Sequence, residues 1–115
     1  MLIVEDDATL RRSLAEKFKG HEYSVLEASS SDEAFTLLGS EQPDAFVLDL
    51  ILPAKDGISL LEELRKAGYS QPVVILTNLL GSDDLRADAT RLNASFYNKS
   101  SVTLEEIVEA VEKVL

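Results

Sequence analysis

The chain has no cysteine and a single histidine, His21. Disulfides and thiolate metal centres are therefore excluded, and no His-rich cluster is available for a transition metal. A reducing, cytoplasmic setting is the simplest expectation. No apolar run approaches the roughly 18 residues that a membrane-spanning helix needs, and no basic segment leads into an apolar one at the N-terminus as in a signal peptide. Neither membrane insertion nor processing is expected. Basic residues are also scarce, with 11 Lys and Arg against 21 Asp and Glu, for a net charge of −10. Without a dense Lys/Arg patch there is little to displace counterions from a phosphate backbone, so direct nucleic-acid binding is not expected. Much of the acid reads as solvated helix surface, as in the pairs Glu62-Glu63 and Glu105-Glu106.

What remains is enough for one domain spanning residues 1–115, with no internal repeat, low-complexity tract or long linker. Short apolar runs of buried-strand length occur at 2–4 (LIV), 25–28 (VLEA), 45–48 (AFVL) and 73–76 (VVIL), with a weaker one at 95–97 (SFY). Between them lie apolar residues at helical spacing: Leu10, Leu14 and Phe18; Ala34, Leu37 and Leu38; Ile58, Leu61 and Leu64; Leu85, Ala89 and Leu92; Ile107, Val108, Val111 and Leu115. Ser30 with Glu33, and Thr103 with Glu106, have capping-box spacing, and Asp56 or Gly57 can open the third helix. Gly20, Gly39 and Gly68 stand where helices should stop, and Asn93 serves that purpose for the fourth helix, which lacks a terminal glycine. Alternating strands and helices imply an α/β fold, an open doubly wound parallel sheet of five strands with five helices on its two faces.

In such a sheet all strands point one way, so the residues after each strand collect at one edge, where open α/β sheets bind ligands. Those residues are Glu5, Asp6 and Asp7 after LIV, Asp49 after AFVL, Thr77 and Asn78 after VVIL, and Lys99 after SFYN. Carboxylates gathered there repel by about 4 kcal/mol per pair at roughly 4 Å and an effective dielectric near 20, so a cation is required. Oxygen ligands alone favour Mg²⁺, with Mn²⁺ as a substitute. No His base with a Ser or Cys nucleophile is at hand, which argues against acyl transfer. The set suits phosphoryl transfer to a carboxylate, with Asp49 as nucleophile, Mg²⁺ and Lys99 neutralising the phosphoryl oxygens, and Thr77 donating a hydrogen bond to them.

With LIVEDD, VLDLILPAKDG, VVILT and YNKS in this order, the whole chain resembles the receiver domain of two-component response regulators. The resemblance implies a flavodoxin-like fold and a switch rather than a turnover enzyme. Asp49 would be the phosphoacceptor, taking its phosphoryl group from a histidine kinase or phosphotransfer protein in a phosphorelay. It further implies that Asp6 binds Mg²⁺ directly, Glu5 acts mainly through metal-bound water, Asp7 caps the first helix and Ile51 contributes only its backbone carbonyl. Lys99 would reach the phosphoryl group and Thr77 would turn toward it. The inward-turning aromatic would be Phe96, with Tyr97 as the alternative. The output, a downstream protein or domain, would be met through the fourth helix, fifth strand and fifth helix. The chain departs from the family at Ser100, where proline usually follows the lysine, often after a cis bond, and at Asn78, where a smaller residue is common. The resemblance also implies that Ile51 and Leu79, both apolar, would flank the path of a hydrolytic water, so a long-lived phosphoaspartate is expected.

Three other readings are separable. An aspartyl phosphohydrolase of the haloacid-dehalogenase type would need a second Asp where Ile51 stands. A flavin binder would need a neutral loop where the acidic Glu5, Asp6 and Asp7 stand. A pseudo-receiver that only binds partners would fail a phosphorylation assay.

Overall fold

The computed structural model describes residues 1–49, 57–77 and 83–115, with the backbone alone for 57 and 83–86. In chain order its elements are β1 (Leu2–Val4), α1 (Ala8–Gly20), β2 (Leu26–Ala28), α2 (Ser31–Leu38), β3 (Phe46–Asp49), α3 (Gly57–Lys66), β4 (Val73–Thr77), α4 (Asp83–Arg91), β5 (Ala94–Asn98) and α5 (Leu104–Val114). All neighbouring strands pair in parallel, in the order β2-β1-β3-β4-β5. This is the expected five-stranded, flavodoxin-like sheet. The direction of winding reverses between β1 and β3, which opens a crevice at their C-terminal ends.

Strand alternation divides the interior into two cores. Leu2, Val4, Phe46, Leu48, Val73 and Ile75 point to one face and pack with Ala34, Leu38, Leu61, Leu64 and Ala89 of α2, α3 and α4. Ile3, Val47, Val74 and Leu76 point to the other and pack with Leu14, Phe18, Ile107, Val108 and Val111 of α1 and α5. Strands buried on both faces cannot carry charge in their interiors, so charged side chains are displaced to their ends.

The caps explain most helix starts. Asp7 Oδ1 accepts from the N–H groups of Thr9 and Leu10, which places Asp7 as the cap of α1. Thr103 and Glu106 form the complete capping box of α5. At α2 only half of the expected box is present: Ser30 accepts from the Glu33 N–H, while the Glu33 carboxylate accepts from Ser29 Oγ at 3.1 Å. Glycine 20 belongs to α1 itself, and the left-handed residue that ends this helix is Glu22, at φ 70°. Gly68 (φ 94°) and Asn93 (φ 59°) do adopt the left-handed conformation after α3 and α4. Asp56 lies outside the described residues. No helix among the described residues is long and apolar enough to cross a membrane.

Candidate functional site

Pairing of Val4 with Leu48 sets the ends of β1 and β3 level, so Glu5 emerges beside Asp49. Each is held by what surrounds it. The Glu5 N–H donates to the Ala28 carbonyl at 3.0 Å, prolonging the β1–β2 ladder, while its Oε2 accepts from the Asp7 N–H at 3.3 Å. Asp49 is the last residue of β3, opposite Leu76. Both carboxylates are buried, Glu5 at 2% and Asp49 at 5% exposure, whereas Asp6 is exposed. Thr77, the last residue of β4, is fully buried. Its carbonyl accepts from the Lys99 N–H at 2.8 Å, which fixes the backbone from which the lysine side chain departs.

Lys99 Nζ lies 2.9 Å from Asp49 Oδ2 and 2.6 Å from Glu5 Oε1. One ammonium thus bridges two buried carboxylates, Asp49 and Glu5. Burial is the largest influence on Glu5 and pushes its carboxyl up to about 7; hydrogen bonding with Asp49 adds to the rise and Lys99 opposes it. On Lys99 burial acts downward, but its hydrogen bonds and charge pairing with Glu5 and Asp49 outweigh it and raise its pKa. One oxygen each from Glu5, Asp6 and Asp49 lies within 4.8 Å of the others. Three carboxylates with one close ammonium leave negative charge uncompensated once Glu5 ionises. A hard divalent cation with oxygen ligands fits this donor set.

The two aromatic candidates separate cleanly. Phe96 packs into the core beneath α2, α3 and α4, and Tyr97 into the one beneath α1 and α5. By alternation from Val73 and Ile75, Thr77 belongs to the face of Phe96. Ile51, Asn78 and Leu79 lie outside the described residues.

Two residues at the site were not singled out in the sequence. Arg11 Nη1 donates to the Glu5 carbonyl at 2.9 Å and its Nε lies 3.4 Å from Glu27 Oε1, so it ties the acidic loop to β2. Its position four residues after the Asp7 cap marks it as facing back along the first turn, but its partners come from two other segments. The second is Asn98, whose side chain accepts two hydrogen bonds from Ser100. The pattern Asn-x-Ser after a strand is a readable turn signal. The Lys99–Ser100 bond is trans, since no cis peptide occurs among the described residues.

The family described as response regulator receiver domain matches residues 1–112. Among curated proteins, the response regulator MprA of Mycolicibacterium vanbaalenii is 33% identical over 115 residues, covering 100% of this chain and 49% of that protein. The MprA of Mycobacterium avium is 32% identical over 115 residues, covering 100% and 50%. The chain therefore spans about half the length of the curated relatives it matches. Among solved structures, the receiver domain of the Francisella response regulator 1452 aligns with a TM-score of 0.88 at 27% identity, covering 98% of this chain and 93% of that one. The non-phosphorylated HemR receiver domain of Leptospira biflexa aligns with a TM-score of 0.87 at 32% identity, covering 98% and 90%. The chemotaxis regulator CheY4 of Vibrio cholerae shares the fold, with a TM-score of 0.87 at 20% identity and coverage of 99% and 96%. The chain belongs to the receiver domains of two-component response regulators.

Proposed function

We propose that Asp49 is the phosphoacceptor of this receiver and that its phosphorylation resets a protein-binding face formed by α4, β5 and α5. The observation that carries this reading is the Lys99 ammonium bridging Asp49 and Glu5 at the β1/β3 crevice. A receiver is not a conventional enzyme, yet the group to be phosphorylated and the groups that steer the transfer lie together on this chain.

The donor is a phosphohistidine on a histidine kinase or phosphotransfer protein. An Asp49 carboxylate oxygen attacks phosphorus, the new O–P bond forms as the P–N bond breaks, and the electron pair stays on the departing imidazole nitrogen, which takes up a proton. Glu5, Asp6 and Asp49 would hold Mg²⁺, with the Ile51 carbonyl as a further oxygen, and Mn²⁺ would serve in its place. When bound, the ion supplies the positive charge that lets a phosphoryl group enter an acidic pocket. Lys99 neutralises the transferred oxygens, and Thr77 donates its hydroxyl to one of them. Phe96 follows Thr77 inward; its place on the α4 face supports it over Tyr97. The partner of the switched face is either the output region of a longer polypeptide or a separate protein, and a cytoplasmic setting follows from the kinase chemistry.

Intact mass after incubation with acetyl phosphate and Mg²⁺ tests the reading. One phosphoryl group should be gained, and the gain should vanish without Mg²⁺ and in Asp49→Asn. Asp6→Asn should weaken Mg²⁺ binding more than Asp7→Asn, because Asp7 is engaged in capping α1. A chain that never gains the phosphoryl group but still binds its partners would be a pseudo-receiver.

A further inference from the structure

The turn that follows β5 is built on one residue, Asn98. Asn98 Oδ1 accepts from the Ser100 N–H at 2.9 Å and from Ser100 Oγ at 2.6 Å. The Asn98 carbonyl accepts from the N–H groups of Ser101 and Val102, each at 3.2 Å, and from Ser101 Oγ at 3.4 Å. Five donors therefore converge on the residue immediately before Lys99. On the other side, the Lys99 N–H is held by the Thr77 carbonyl at the end of β4. The lysine backbone is thus clamped between the sheet and an Asx turn.

This matters because a lysine side chain is long and loses considerable rotamer freedom when its ammonium must reach two fixed oxygens at once. Its reach is set by where the main chain leaves β5, and that direction is set by the turn. Both Ser100 donors exist only because position 100 is not proline, which has neither an N–H nor a hydroxyl. Asn98 and Ser100 thus act as a pair: the acceptor at one position has a use only if the other supplies donors, and together they support a trans Lys99–Ser100 bond.

We propose that Asn98, through its Asx turn with Ser100, is a positioning residue that aims the Lys99 ammonium at Asp49 and Glu5. The proposal deepens the phosphoacceptor reading and rests on it for its consequence in phosphoryl transfer, while its geometric content stands without it.

Two measurements on the metal-free and Mg²⁺-loaded protein separate the two levels. The first is hydrogen exchange at the Lys99 ammonium, followed by nitrogen-resolved NMR. Asn98→Ala, which removes both Oδ1 bonds, should accelerate it by at least about fivefold, the size of one net hydrogen bond. Asn98→Asp keeps the acceptor and should return the exchange toward wild type. The second is the rate of phosphorylation by acetyl phosphate. Asn98→Ala should slow it by about fivefold on the same basis, but should add nothing in a Lys99→Ala background, since the turn acts through the lysine. Unchanged Lys99 exchange in Asn98→Ala overturns the proposal. So does a rate penalty from Asn98→Ala that is equal with and without Lys99, because the turn would then be only structural. If Lys99 exchange responds as stated while wild type gains no phosphoryl group, Asn98 positions the lysine and it is the phosphoacceptor reading that falls.

Discussion

Glu5 is almost sealed from water, yet it stands beside a second buried carboxylate, and the two share one lysine. Its pKa of about 7 in the folded protein, against an ordinary 4.5, fixes the sign of its effect on stability. Between those values the folded chain holds a proton that the unfolded chain has released. The stability contributed by Glu5 is therefore complete below the ordinary value and is lost as pH rises through about 7. Urea denaturation in chelator should show wild type losing stability relative to Glu5→Gln from about pH 5 to about pH 8. Mg²⁺, which the proposed function places on the folded, ionised cluster, should restore wild type at the upper end. Parallel curves for the two proteins would contradict the shared-charge account. Lys99→Ala should cost on the order of 3 kcal/mol without metal, since it strands two buried carboxylates, and much less with Mg²⁺ present. A loss that Mg²⁺ leaves untouched would assign the lysine to packing.

Elements meet at the opposite edge of the sheet through another cation. Arg65, near the end of α3, donates from Nε to the Leu92 carbonyl at 2.9 Å and from Nη1 to the carbonyls of Tyr69 and Gln71, each at 2.9 Å. Nη2 donates to the Asn93 carbonyl at 3.2 Å. One planar group thus ties the end of α3, the approach to β4 and the end of α4, and burial lowers its pKa. The left-handed residues Gly68 and Asn93 turn the chain so that these carbonyls converge. An ammonium cannot reproduce this fork, so Arg65→Lys should cost about 2 kcal/mol, most of the loss expected for Arg65→Ala. Lysine restoring wild-type stability in a denaturation series would show that charge alone suffices. Closure of α4 at Asn93 was readable from residue type, because few residues tolerate positive φ. The clasp was not, because its four acceptors are main-chain groups lying from 4 to 28 positions beyond Arg65 in the sequence.

For the molecule as a whole, net charge dominates over individual surface pairs. Lys17 and His21 at the end of α1 meet Glu105 of α5, at 2.8 and 3.3 Å, and His21 also approaches Glu112 at 3.7 Å. Exposed pairs of this kind contribute little and are screened by salt. Self-repulsion of a −10 chain is screened as well, and that loss favours the compact state. Raising KCl from about 20 mM to about 0.5 M in chelator should therefore raise the urea midpoint at pH 7. A falling midpoint would mean that attractive pairs, not global repulsion, govern the fold's electrostatics.

The sequence by itself determined the order of strands and helices along the chain and which strand-end residues gather at the C-terminal edge of the sheet. Apolar period is local, and parallel strands leave no choice about which ends coincide. Asp49, Asp6, Glu5, Thr77 and Lys99 were legible for that reason, with boundaries off by a residue or so at β2, β3, β4 and β5. Only the tertiary structure decided that Lys99 serves Glu5 as well as Asp49, because this depends on the level at which β1 meets β3 and on the distance crossed from β5. It likewise separated Phe96 from Tyr97, since adjacent strand residues look alike in sequence until a face is assigned to the helices packed on it. The turn at Asn98 and Ser100 is local, two residues apart, and readable as Asn-x-Ser; what the structure added there is the trans isomer of the Lys99–Ser100 bond.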